Sequence, residues 1–510
     1  MFTDIDHPPP QAGTADRRPH AAIVGSGLGG LAAAIRLGAR GYRVSVYEKL
    51  EQPGGRAAVF RQDGFTFDAG PTIITAPFIL EELWALAGAK FSDDVTLRAL
   101  DPFYHLRFDD GTVMSCSADP ARMREEVRRI SPTDVAGYER FMAESEAIYR
   151  IGFEQLGHVP FGSPLDMVRI APDLLRLGAW RTVHQHVAAR VKNPKIRMAL
   201  SFHPLFIGGN PFKVTAIYSM IAHLERQYGV HFAVGGTGAL VKAMAKLVER
   251  QGGRILLDSE VAEITCDGTR ATGLRLADGR IVKADIVVSN AETAHTYTKL
   301  LAKAPRKRWS DAKLARARYS MSLFVWYFGT NRQYTDVPHH TILMGPRYRE
   351  LLHDIFEKKT LARDFSLYLH RPTATDPSLA PPGCDAFYVL SPVPHQDSRI
   401  DWTSRAASYK AAIAEHLDRT VLPGFRDHVV TEKLITPIDF ESRLSSAKGA
   451  AFGLEPVLLQ SAWFRPNNRS EDIENLFIVG AGTHPGAGVP GVVSSARILD
   501  TVVPDASAFA

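Results

Sequence analysis

The stretch HAAIVGSGLGGLAAAIRLGARGYRVSVYE, residues 20–48, decides the fold. His20 to Val24 is a short apolar run that ends in Gly25-Ser26-Gly27-Leu28-Gly29-Gly30. Residues 31–37 are good helix formers, and Gly38 and Gly41 mark the stop. Residues 43–47 alternate as a strand does and end at Glu48. Strand, glycine turn, helix, strand and acid follow one another as in a dinucleotide-binding βαβ unit. Gly25 permits the tight turn, Gly27 lets a pyrophosphate reach the backbone, and Gly30 lets helix and strand pack closely. The helix N-terminus presents free N–H groups to phosphate. Glu48, 23 residues after Gly25, is placed to accept ribose hydroxyls and to repel a 2′-phosphate, which argues against NADP. A bare glycine pattern also occurs in turns of other parallel-sheet proteins; the flanking elements and the acid decide for a dinucleotide.

A second loop, QPGGR at 52–56, follows directly, and FTFDAGPT occupies 65–72. An NAD dehydrogenase has no need of this extra Gly-Gly-Arg loop. Residues 235–251 predict a helix with apolar positions at 240, 241, 244 and 247, ended by Gly252-Gly253. Strands are expected at 255–257 and 261–264. A hairpin follows, turning at Asp278-Gly279, and then a buried strand over 284–288 that leads to Asn290. Near the C-terminus, LFIV at 476–479 runs into GAGTHPGAGVPG at 480–491, with a helix expected from Val492 to about Leu499. Gly480 begins a second glycine-rich turn 455 residues after Gly25, so both ends of the chain are expected to fold onto one ligand.

The chain has 510 residues, which at roughly 150 per domain gives two or three domains. Its 45% apolar content excludes a disordered or fibrous protein, and a net charge of +5 is too small to signal nucleic acid. Cys116, Cys266 and Cys384 lie far apart, so neither a disulfide framework nor a cysteine-rich metal site is expected, in keeping with a reducing cytoplasm. Residues 1–19 read as a disordered lead-in rather than a signal peptide. No apolar run reaches the roughly 18 residues that a spanning helix needs. Between 161 and 221, however, Leu165, Met167, Val168, Leu174, Leu175 and Trp180 alternate with cations. Positions 169–197 hold seven basic residues against one acid, Asp173. That is the composition of an interfacial anchor on anionic lipid; the plainer reading is a helical domain with a solvated basic face.

Together these segments resemble the bacterial-type phytoene desaturase family of the amine oxidase-like flavoproteins. The resemblance runs from residue 20 onward. Its most specific stretches are SFHPLFIGG (201–209), SMSLFVWYFG (320–329), DFSLYLH (364–370), GLEPVLLQSAWFRPNNR (453–469) and the Gly480 turn. It implies a mixed α/β fold: a discontinuous Rossmann-type FAD domain with a parallel sheet (20–100, 228–300, 470–510), a substrate domain on a mixed sheet (101–129, 301–469), and a helical membrane-facing region (130–227). It implies one non-covalent FAD as the sole redox cofactor and no metal. Gly25, Gly27, Leu28, Gly30, Glu48 and Lys49 would line the first turn, and Gly55, Arg56, Gly70, Pro71 and Thr72 the loop along the cofactor. The Val261 backbone would hold the adenine, and Asn290 would lie close by. Gly480, Gly482, Thr483, Gly488 and Val489 would form the second turn, whose helix N-terminus favours an anionic reduced flavin. Relatives often carry Asp where Ala481 stands, so ribityl contacts fall to backbone or to Thr483; His484 is either a flavin contact or a satisfied turn residue.

The resemblance further implies a cytoplasmic enzyme held peripherally on the inner membrane, inserting successive double bonds into 15-cis-phytoene to give neurosporene, lycopene or a more desaturated product. A C40 hydrocarbon offers no charge to bind, and at about 0.8 kcal/mol per CH₂ it stays in the bilayer, so the enzyme needs an apolar mouth. Hydride goes to the flavin and a proton to a base, with a quinone or oxygen as final acceptor. Asp166 and Arg169 match an Asp-x-x-Arg pair that the family suggests for proton handling, with an exposed surface pair as the alternative. Asp166→Asn is expected to lower turnover and leave flavin content unchanged. The competing readings are a carotene isomerase or ketolase of the same superfamily, and a flavin-free prenyl- or lipid-binding protein on the same scaffold.

Overall fold

The fold was taken from a computed structural model, which describes residues 16–509; most of the lead-in lies outside the described residues. His20–Val24, Leu28–Ala39 and Arg43–Tyr47 form the expected strand, helix and strand. The two strands are the middle of a five-stranded parallel sheet. Its order is Leu476–Ile478, Ile286–Ser289, His20–Val24, Arg43–Tyr47 and Arg254–Leu256. Start, middle and end of the chain therefore contribute neighbouring strands.

Alternation along these strands explains the layers. Ala21, Ile23, Ile286 and Val288 point to a helical layer built from Leu28–Ala39, Thr237–Arg250 and Val489–Arg497. Ala22, Val24, Val287 and Ile478 point the other way, onto the antiparallel strands Val261–Asp267 and Arg270–Leu276. On the helical side Arg36 is 1% exposed and bonds Glu82 at 2.7 Å and Asp500 at 2.6 Å. Arg40 donates to the carbonyls of Leu499 and Val503, and the Tyr42 hydroxyl to that of Pro504. The last helices are thereby fastened to the first.

A second, mixed sheet of seven strands runs in the order Val429–Ile435, Ser322–Thr330, Asp385–Val393, Leu367–His370, His340–Met344, Tyr104–Phe108 and Val113–Cys116. All its pairings are antiparallel except that of His340–Met344 with Tyr104–Phe108. Every residue of Ser322–Thr330 is buried, as its unbroken apolar run requires of a strand covered on both faces. Phe324, Trp326 and Phe328 meet the helix Trp402–Thr420, whereas Leu323, Val325 and Tyr327 face the helical region. The hairpin Val59–Gln62/Phe65–Asp68 joins that second core through Phe65 and Phe67, and so links the two sheets.

Helices begin earlier than residue 130: Pro120–Ile130 precedes Val135–Tyr149, and Pro164–Arg176, Val183–Ala188, Pro194–Ser201 and Met220–Tyr228 follow. The helix after the second glycine turn starts at Val489, three residues before the position expected from sequence, because Gly488, at φ +94°, ends the turn there.

Arg36→Ala removes two charge-assisted hydrogen bonds, one from the first helix to Asp500 in the C-terminal segment and one to Glu82 on the helix Phe78–Leu86. It is expected to lower stability by about 2–3 kcal/mol, read as a fall in the urea midpoint of the intact chain.

Candidate active site

The first and last glycine turns touch. A Cβ on Gly29 would lie 3.0 Å from the Gly480 Cα and 2.7 Å from Asn290 Oδ1, and one on Gly480 would lie 2.7 Å from the same oxygen. Asn290 enters from the end of the strand Ile286–Ser289, its N–H bonded to the Val24 carbonyl at 2.9 Å. Gly30 admits no side chain, since its Cβ would fall 2.1 Å from the Gly25 carbonyl oxygen. The Gly25 N–H donates to Tyr47 at 2.8 Å, and the Gly27 carbonyl accepts the Leu31 N–H. Leu28 is buried in the helical layer.

From Gly27 the site continues outward in contact steps. The Gly54 N–H bonds the Ser26 carbonyl at 3.0 Å, and a Gly55 Cβ would sit 3.6 Å from Gly27 Cα. The Ala69 N–H bonds the Ala58 carbonyl at 2.9 Å, which lays the Gly70-Pro71-Thr72 loop against the Gly-Gly-Arg loop. Thr237 Oγ1 holds the Pro71 carbonyl at 2.5 Å. Asp68, at the start of this loop, lies over the N-terminus of the helix Thr237–Arg250. Burial pushes its carboxyl up to about 7, against the pull of the Gly238 and Thr237 N–H groups.

The charged groups predicted from sequence gather at the outer end. Glu48 is buried; one oxygen accepts the Ser26 N–H and hydroxyl at 2.8 and 2.7 Å, the other the Leu50 N–H. Lys49 Nζ reaches Ser445 Oγ at 2.8 Å and Arg56 Nη2 reaches Ser446 Oγ at 2.8 Å. Ser445 and Ser446 border a cleft of about 430 Å³ that Val261, His295 and Lys299 also line. Arg56 Nε, Glu292 Oε1 and Thr293 Oγ1 are buried with no partner, a set of donors and acceptors that suits a polar dinucleotide. Burial raises the Glu292 carboxyl and lowers the Arg56 guanidinium, each partly offset by the other.

Under the second turn lies a cation that sequence reasoning missed. Arg465 is 1% exposed and donates to three carbonyls, those of Gln460 at 3.5 Å, Leu454 at 3.1 Å and Ala481 at 2.7 Å. The carbonyl of Ala481 is thus engaged by Arg465. The Thr483 hydroxyl does not point to a ligand; it donates to the Pro466 carbonyl at 2.6 Å. His484 is a satisfied turn residue: Nε2 meets the Leu156 carbonyl at 2.9 Å and the ring packs edge-on to Phe161, with burial pushing its basicity down to about 4. Gly482 and Val489 are buried within the turn and the helix behind it.

Asp166 and Arg169 lie elsewhere, on the helix Pro164–Arg176, which has no buried residue. Asp166 closes a capping box, accepting the Ser163 N–H at 2.9 Å, and Arg169, 3.8 Å from it, is 79% exposed. The dry surroundings expected for a proton acceptor are absent there. Around that helix Leu165, Val168, Leu175 and Trp180 are each more than 60% exposed. Leu459, 71% exposed, belongs to a neighbouring segment whose next turn, Ala462–Phe464, packs on the helix.

Comparison with known proteins agrees with this geometry. The family model for flavin containing amine oxidoreductase matches residues 28–498. A neurosporene-forming phytoene desaturase of Cereibacter sphaeroides is 50% identical over 500 residues, covering 97% of this chain and 96% of its own. A lycopene-forming phytoene desaturase of Pseudescherichia vulneris is 49% identical, covering 93% and 97%. Among solved structures, putrescine oxidase bound to putrescine covers 95% of this chain and 99% of its own with a TM-score of 0.64; at 15% identity the likeness is one of fold. The chain belongs to the bacterial phytoene desaturases, within the flavin-containing amine oxidoreductase family.

Proposed function

We propose that this chain is an FAD-dependent phytoene desaturase that introduces double bonds stepwise into a C40 polyene to give neurosporene or lycopene. The observation that carries the reading is the contact of the two glycine turns at Asn290, continued through the 68–72 loop onto the aromatic face of the second sheet. FAD fits the residues present: Glu48 for the ribose, Lys49 and Arg56 for the outer end, Val261 for the adenine, and the Gly25 and Gly480 turns for the pyrophosphate and ribityl chain. When bound, it supplies the hydride acceptor. This chain's residues bind, orient and keep water out. Phe60, Phe67, Tyr327 and Tyr388 lie together where the loop meets the sheet and supply dry, flat surface for a polyene.

Delivery from a bilayer is supported by the exposed apolar residues of 159–180 together with Leu458 and Leu459, flanked by Arg169, Arg176 and Arg181. Among the described residues no helix is long and apolar enough to cross a membrane. In this reading Asp166 and Arg169 shape and charge the docking helix. Asp166→Asn discriminates: a role in docking alters liposome binding, whereas a role in proton handling lowers turnover in detergent with flavin content unchanged.

The deciding experiment is expression in a phytoene-accumulating host. Extracts are expected to show the absorbance bands of neurosporene or lycopene; phytoene left unchanged by a flavin-loaded protein would overturn the proposal. Arg56→Met is expected to weaken FAD binding about tenfold, measured by quenching of flavin fluorescence, since one charged contact contributes about 1.4 kcal/mol. Trp180→Ser combined with Leu459→Ser is expected to abolish most co-sedimentation with anionic liposomes while FAD content stays constant.

A further inference from the structure

The second sheet contains a buried polar chain that the reaction so far described does not use. His340 and His370 face each other across antiparallel strands, and His339 precedes the first of these. All three are 5% exposed or less. His339 Nδ1 meets Thr375 Oγ1 at 2.6 Å, and its Nε2 meets His370 Nε2 at 3.0 Å. His340 Nδ1 meets the Tyr368 hydroxyl at 2.7 Å, which meets Thr72 Oγ1 at 2.9 Å; Thr72 Oγ1 also meets the Tyr388 hydroxyl at 2.7 Å. Thr375, at one end, is half-exposed, while Thr72, at the other, is buried in the loop laid against the Gly-Gly-Arg segment.

One link is open. His340 Nε2 and His370 Nδ1 are buried without a partner. The three rings offer nitrogens that all lie within 4.8 Å of one another, a spacing that a single water spans with two ordinary hydrogen bonds. A metal ion suits the cluster less well. His339 Nε2 and His370 Nε2 already hydrogen-bond each other at 3.0 Å, which takes up a lone pair that a metal would need. Here no carboxylate joins them, and the Arg371 cation lies near enough to oppose a charge on His339.

We propose that Thr72, Tyr368, His340, His370, His339 and Thr375 form a proton relay that carries the proton released in each desaturation from the flavin-side loop to solvent. The inference rests on the proposed function. In each cycle one C–H bond gives up hydride, with its electron pair, to the flavin. The adjacent C–H bond gives up a proton, and its electron pair becomes the new π bond. Only that proton enters the relay. An allylic cation is so strong an acid that a neutral hydroxyl oxygen suffices as first acceptor, and Thr72 and Tyr388 present two. Each hydroxyl then accepts one proton and donates another, and each imidazole takes a proton on one nitrogen and releases one from the other. Burial holds all three rings far less basic than free histidine, so the relay rests neutral and does not trap the charge.

Tyr368→Phe tests this, because it deletes the one oxygen that joins His340 to Thr72 and keeps the ring. Three results are expected: normal FAD content, turnover lower by about tenfold or more, and a larger solvent deuterium isotope effect. Nitrogen-15 spectra of histidine-labelled protein, read without turnover, should show the His340 resonances shifted. Wild-type turnover with an unchanged isotope effect would overturn the relay, as would unshifted His340 resonances. A transition metal retained at one per chain would also overturn it, since the lone pairs would be taken. If the wild type makes no coloured carotenoid, the proposed function fails instead, and the histidine spectra still report on the hydrogen-bonded chain.

Discussion

The structure depends on a close approach that side chains would forbid. Where Gly29 meets Gly480, and both meet Asn290, backbone from the first and last fifty residues comes within van der Waals contact. Everything else about the nucleotide side follows from that approach. The terminal strand Leu476–Ile478 must enter the same parallel sheet as His20–Val24, separated from it by one strand, and the helix Val489–Arg497 must lie beside the first. Arg36, Arg40 and Tyr42 then secure the arrangement with charge and hydrogen bonds at the far end of that helix pair. A buried guanidinium is tolerable there because two carboxylates meet it.

The second sheet solves a different problem. A polyene has nothing to hold by charge, so the surface that receives it must be made from ring faces, and those rings need support from behind. Strand Ser322–Thr330 does both, with Tyr327 and Val325 on one side and Phe324, Trp326 and Phe328 on the other, locked against Trp402 and Tyr409. The hairpin carrying Phe65 and Phe67 couples this sheet to the glycine turns, because Gly329 leaves room for the Phe65 ring: a Cβ there would be 2.5 Å from it. The cofactor side and the hydrocarbon side are thus in mechanical contact through one short hairpin.

Much of this was legible in sequence because it is written in local pattern. The glycine spacing at 25–30, the acid at Glu48 and the alternating or unbroken apolar runs depend only on neighbours in the chain, and the structure places those elements within a few residues of the expected bounds. What could not be read depends on partners distant in sequence. Thr483 looked free to serve a ligand until Pro466 claimed its hydroxyl, and His484 until Leu156 claimed its ring. Arg465 gave no signal beyond lying in a distinctive stretch, and the meeting of His340 with His370 requires the strand register.

Asp166 shows the same limit from the other side. An acid and a cation at i and i+3 amid apolar residues look alike in sequence whether those residues face inward or outward. The helix Pro164–Arg176 faces outward, so Leu165, Val168 and Leu175 are exposed and Arg169 is solvated, while Asp166 caps the helix through Ser163. The buried hydroxyls and imidazoles of the second sheet are the reverse case: polar groups scattered over Thr72, His340, Tyr368 and His370 that sequence shows as unrelated and the fold draws into one line. Enclosing so many polar atoms in an aromatic core is unfavourable unless each is matched, and most of them are matched by one another. The two nitrogens left open face the gap in that line, where the demand for a further hydrogen bond is greatest.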